Sequence, residues 1–95
     1  MTLTERVKLK PDGSNSSSES LSKEMFLILY NDEVNSFDFV IETLIEVCGH
    51  QPEQAEQCAL ITHTKGKCDI KKGSFAILKP IKETLILKGL SAVIE

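Results

Sequence analysis

From Met25 to Tyr30 the chain is apolar without a break. A run of that length suits a β-strand covered on both faces. It stops at the polar triplet Asn31-Asp32-Glu33. Beyond that turn Phe37, Val40, Ile41, Leu44, Val47 and Cys48 recur at three- and four-residue steps, one apolar face of a helix. Asn35 is the expected N-cap, Asp38 places negative charge in the first turn, and Gly49 is a natural stop. Phe39 falls on the far side of this helix and is expected to be covered by another layer. Pro52 opens a second helix, on which Ala55, Cys58, Ala59 and Thr62 form a face of small residues up to Gly66. Cys68 and Ile70 then alternate with Lys67, Asp69 and Lys71, a strand pattern. Gly73 turns the chain and Ser74 caps a third helix, in which Pro80 is expected to introduce a bend or a late start. Gly89 ends it, and Leu90 to Ile94 reads as a last strand. The order β-α-α-β-α-β predicts a small α/β (α+β) sandwich, three helices packed on one face of a three-stranded sheet.

Residues 1–23 break this regularity. Pro11-Asp12-Gly13 is followed by Ser14-Asn15-Ser16-Ser17-Ser18, with no apolar period to offset the entropy of ordering. A mobile N-terminal extension is therefore expected, with a folded domain over 24–95; Val7 to Lys10 could add a short edge strand. With 95 residues the chain makes one domain at most. Its net charge of −3 argues against unspecific nucleic-acid binding, which needs a concentrated basic surface. There is no run that would cross a bilayer and no signal-peptide core, so no membrane association and a cytoplasmic location are expected.

Three cysteines, Cys48, Cys58 and Cys68, stand ten apart. An odd number without a secretion signal does not describe a disulfide framework, and Cys48 and Cys58 read as small buried apolar residues. No CxxC pair exists, and His63 between Cys58 and Cys68 does not complete a ligand set, so neither metal nor cofactor is expected. A thiol or hydrolytic enzyme would need Cys58 or Cys68 to work with His63 and Asp69. Cys58 and His63 face each other poorly at five positions along a helix, and no oxyanion hole is evident.

Two segments carry a more specific signal. Tyr30-Asn31-Asp32-Glu33-Val34-Asn35-Ser36-Phe37-Asp38-Phe39-Val40 resembles the signature of the ClpS adaptors, an Asn-Asp-Asp turn leading into a helix with Glu-Phe-Val. Ala55 to Gly66 resembles that family's second helix, whose Val-His pair precedes a glycine; here the corresponding pair is Thr62-His63. The resemblance covers about residues 24–95. It implies a non-enzymatic, monomeric adaptor of the bacterial N-end rule. Such an adaptor binds proteins that begin with Phe, Tyr, Trp or Leu and delivers them to the N-domain of a Clp-type AAA+ ATPase (ClpA or ClpC) coupled to the ClpP protease. By motif match, Asn31, Asp32, Glu33 and His63 fall where the family contacts the ligand's α-amino group, while Phe37, Val40, Ala59, Thr62 and Leu90 match the hydrophobic pocket. Asn35, the expected helix cap, stands beside that site.

The chemistry is coherent on its own terms. A free α-amino group is mostly a cation at neutral pH and offers three donors, each costly to bury unmatched. An amide oxygen, two carboxylates and a neutral imidazole supply acceptors for it. An internal peptide nitrogen has one donor and no charge, so such a site separates a chain end from a chain middle. The same residues also have plain readings: Asn-Asp-Glu after a strand is ordinary turn chemistry, and a histidine near a helix C-terminus suits the helix dipole.

Several positions depart from the pattern. Glu33 replaces the usual second Asp, Asn35-Ser36 replaces Thr-Pro, and Phe37 and Ala59 replace pocket-edge methionines. The Tyr-Thr-x-Glu-x-Ala-Glu-x-Lys pattern of the third helix, part of the family's ATPase-docking surface, gives way to Ser74-Phe75-Ala76-Ile77-Leu78-Lys79-Pro80. The alternative is a ribosomal-stalk-like or scaffolding module of the same fold. The stalk domain relies on an exposed helix rich in Lys and Gly, from which the acidic turn and acidic balance point away.

Overall fold

The computed structural model describes residues 23–95, in the order β1 (Met25–Tyr30), α1 (Phe37–Cys48), α2 (Pro52–Lys65), β2 (Lys67–Gly73), α3 (Phe75–Leu87) and β3 (Ser91–Ile94). The proposed extension, apart from Lys23, and the short strand over Val7–Lys10 lie outside the described residues. The three strands form one antiparallel sheet in the order β2-β1-β3, so the most apolar strand is the central one. This is the predicted α+β sandwich.

Leu27 and Leu29 of β1 meet Cys68 and Ile70 of β2, Ala92 of β3, Leu44 and Cys48 of α1, and Ala55 and Cys58 of α2 in one core. Leu78, Leu85 and Leu90 close it from the α3 side. Burial of these side chains is the dominant stabilising term, at roughly 1.5–3 kcal/mol for each large aliphatic group. Phe39 is half-buried and packs against the core, as its expected cover requires.

Strand β2 is less regular than its alternation suggests. Leu27 pairs with Lys71 but Ile28 pairs with Asp69, which leaves Ile70 as an extra residue in a bulge. The carbonyl of Ile70 accepts a hydrogen bond from Nε2 of buried His50 at 2.7 Å. The histidine satisfies a carbonyl that the interrupted ladder leaves available.

Gly49 and Gly66 end α1 and α2 in the left-handed conformation, with φ of 73° and 95°. Two expectations need correction. Asn35 does not cap α1. Ser36 does, with extended backbone and a hydroxyl that accepts from the Phe39 N–H at 3.1 Å. The Asn35 side chain is instead drawn to Asp32 and Gly89. Pro80 does not delay α3, which begins at Phe75 under the Ser74 cap and runs through the proline. Proline lacks the N–H that would meet the Ala76 carbonyl, but both residues are exposed and an accessible helix surface tolerates that loss.

Replacing Ser36 with Ala is expected to lower the unfolding free energy by about 1 kcal/mol in urea titration. No change would mean that the Ser36 hydroxyl contributes nothing to the start of α1.

Candidate functional site

The turn after β1 and the end of α2 are brought together by strand pairing. Tyr30 lies opposite Lys67, and one step further the Asn31 N–H donates to the Gly66 carbonyl at 2.9 Å. The ammonium of Lys67 sits over the Tyr30 ring, 5.8 Å from its centre, beside this junction. His63 lies within the last turn of α2, so the pairing places its exposed imidazole beside the acidic turn.

Between them lies a hollow of about 470 Å³, lined by Asn31, Asp32, Glu33, Asn35, Phe37, Val40, Ala59, Thr62 and His63. Residues from both sequence segments therefore share one cavity. Polar groups come from the turn and from the end of α2; Phe37 and Val40 of α1 and Ala59 of α2 supply the apolar wall. Ala59 is 2% exposed and Thr62 5%. The Thr62 hydroxyl is committed to the Cys58 carbonyl at 2.8 Å, so Thr62 shows its neighbours mainly its methyl group. Phe37 remains 40% exposed, with room for a guest to cover its ring.

Leu90 does not line this hollow. It is 4% exposed in the core, and its N–H donates to the Leu85 carbonyl, closing the end of α3. Asn35, read from sequence only as a cap, does line it. A helix-capping residue and a loop residue that ties two turns together have the same local signature, so the sequence could not separate them.

Asp32 organises the turn. Its Oδ1 accepts from the N–H groups of Val34 and Asn35, each at 2.9 Å, and its Oδ2 accepts from Asn35 Nδ2 at 3.0 Å. The Asn35 backbone N–H, ahead of the partial desolvation that opposes it, holds the Asp32 carboxyl below the usual carboxylate range. The turn thus keeps an anion at the edge of the hollow at neutral pH, alongside the Glu33 carboxylate.

The thiols are differently disposed. Burial pushes the Cys48 thiol up to about 11 and the Cys68 thiol up to about 12, and raises Cys58 as well. All three are free and buried, and burial disfavours the thiolate that a Cys–His mechanism would need. Among the described residues no group of three or more His, Cys, Asp or Glu side chains could hold a metal ion, and no helix is long and apolar enough to cross a membrane.

A family model described as ATP-dependent Clp protease adaptor protein ClpS matches residues 21–90. The chain belongs to the ClpS family. A solved structure, that of Agrobacterium tumefaciens ClpS2 bound to L-phenylalaninamide, superposes with a TM-score of 0.68 at 19% identity. The alignment covers 78% of this chain and 96% of that one. At that identity the likeness shows the fold. No curated protein matches the chain. Membership in ClpS makes this a member of a family of protease adaptors, and its α1 begins at Phe37, inside the hollow's wall.

A carboxylate whose pKa is lowered by folding stabilises the fold fully above its unfolded value and loses that contribution as pH falls through the folded value. Comparison of Asp32→Ala with the parent by urea unfolding should therefore show a deficit of about 1 kcal/mol at neutral pH, reduced from a larger ideal figure by solvent screening. The deficit should shrink only below about pH 4. A gap that persists undiminished in strong acid would show that the Asp32 charge is not what stabilises the turn.

Proposed function

We propose that this ClpS-family chain binds proteins that carry an exposed bulky first residue (Leu, Phe, Tyr or Trp) and hands them to a Clp-type AAA+ ATPase, ClpA or ClpC, for degradation by ClpP. The observation that carries this reading is a single hollow in which acceptors from two distant segments meet beside an apolar wall. The ligand of the Agrobacterium relative, L-phenylalaninamide, combines a free α-amino group with a benzyl side chain, the two features such a hollow would read.

In this reading the ammonium group of the substrate's first residue sits at the mouth. Asn31 offers its amide oxygen, Glu33 a carboxylate oxygen, His63 a ring nitrogen, and Asp32 its charge with the acceptor capacity the turn leaves over. The first side chain enters between Phe37, Val40, Ala59 and Thr62, where burying it contributes roughly 1.5–3 kcal/mol. Small Ala59 leaves depth at the base, and the Phe37 ring offers a face for edge or offset contact with an aromatic guest. Neither half suffices alone. The acceptors distinguish an end from an internal amide, and the apolar wall distinguishes a large side chain from a small one. Catalysis has no part in this scheme; the protein works as a monomer and without a cofactor.

Fluorescence anisotropy with peptides beginning Leu, Phe, Tyr or Trp tests the reading. N-acetylation removes the charge and two donors, and should weaken binding by roughly 100-fold or more, equivalent to about two charge-assisted hydrogen bonds. In the same assay His63→Ala should cost about tenfold with the fold intact by circular dichroism. Equal affinity for free and acetylated peptides would refute amine capture, and an unchanged His63→Ala would take His63 out of the site.

Delivery is a separable step. Residues 1–23 are assigned to it on the resemblance to ClpS adaptors, for which an N-terminal extension of this length would serve delivery; every residue that lines the hollow lies within 24–95. Deleting them should leave peptide affinity unchanged while abolishing degradation by the ATPase–ClpP pair. Loss of peptide binding in the deletion would make the segment part of the binding domain.

A further inference from the structure

Two hydrogen bonds carry the ends of the 31–35 turn to the rest of the fold. At its start the Asn31 N–H donates to Gly66. At its end the Asn35 side chain reaches 54 positions along the chain, where Nδ2 donates to the Gly89 carbonyl at 2.9 Å. The same amide nitrogen donates to Asp32 Oδ2 at 3.0 Å. An Asn amide has two N–H protons, and here each has its own acceptor. Gly89 sits at φ 96°, a conformation that L side chains rarely adopt, and this backbone presents its carbonyl to Asn35.

We infer that Asn35 is a positioning residue for the α-amino site, a latch that fixes the Asp32 carboxylate by tying it to the turn between α3 and β3. The inference rests on the adaptor reading and deepens it. A carboxylate has about four lone-pair sites. Three of those on Asp32 are taken by Val34 N, Asn35 N and Asn35 Nδ2, so about one is left for a guest, and Asn35 sets where it points. Asn35 acts through Asp32 rather than on the ligand. Its two amide protons hold Asp32 and Gly89, and its Oδ1 lies 3.8 Å from where a β-carbon on Gly89 would stand.

The latch also makes the amine site answerable to the end of α3. Lys88, next to Gly89, also reaches α1, where its ammonium pairs with Glu46 at 3.2 Å on the exposed surface. Threonine, which this turn's family pattern carries at the position of Asn35, has a single hydroxyl donor and could serve one of the two acceptors at a time. Asparagine serves both.

The test uses the full chain with Asn35→Ala and Asn35→Thr. Affinity is measured for paired peptides with a free and an N-acetylated first Phe, and amide spectra are recorded by NMR without ligand. Asn35→Ala should weaken the free peptide about tenfold and leave the residual affinity for the acetylated one unchanged, with Asn35→Thr in between. The resonances of Asp32, Glu33 and Gly89 should shift together in Asn35→Ala. Unchanged affinity for the free peptide, or equal losses for both peptides, would overturn the positioning role. Should the parent chain itself fail to distinguish free from acetylated peptides, the adaptor reading falls. The latch is then judged by the spectra alone: a joint shift at Asp32 and Gly89 upholds it, and silence at both rejects it.

Discussion

The antiparallel pairing of β1 with β2, extended by the bond from Asn31 to Gly66, is the constraint on which the site depends. Asn31 and His63 lie far apart in the chain, and no local preference would bring them together. Pairing Tyr30 with Lys67 does so, because α2 ends where β2 begins and the single residue Gly66 joins them. A one-residue slip in this register would turn Leu27 and Leu29 out of the core as well as misplace the turn. The apolar run of β1 therefore does two jobs at once. It fills the core, and in fixing the register it aligns the groups at the top of the sheet.

Amine capture, as proposed for this hollow, poses a specific physical problem. An ammonium group is expensive to strip of water, so a site that takes one must offer acceptors already in place. The turn holds its shape through contacts among its own residues, with Asp32 accepting from three N–H groups while remaining ionised. Little ordering entropy is then left to be lost when a guest arrives. Below the turn, the small side chains of α2 permit close approach to α1 while keeping space at the base of the hollow.

This balance also explains where the chain spends its polar residues. His50, Asp32, Asn35 and Thr62 each meet a backbone group or a neighbouring side chain. The bulge at Ile70 costs a regular ladder position, and His50 recovers the stranded carbonyl. Buried thiols fill core positions as apolar groups, with burial keeping them protonated.

Much of the fold was legible in the chain because hydrophobic period reports local geometry. The apolar runs and helical spacing marked each element to within a residue or two, and Gly49 and Gly66 marked the ends of two helices through their freedom at positive φ. The polar turn and the end of α2 were visible as motifs for the same reason: their residues are neighbours in sequence. What the sequence could not determine depends on contacts between distant segments. Asn35 and Ser36 are equally good caps on paper, and only the approach of Gly89 assigns one to the helix and the other to the latch. Leu90 is apolar beside a predicted pocket, yet the closing turn of α3 buries it in the core. Local preference comes from the side chain itself, whereas the partner of a hydrogen bond is chosen by whatever the fold brings within about 3 Å of it.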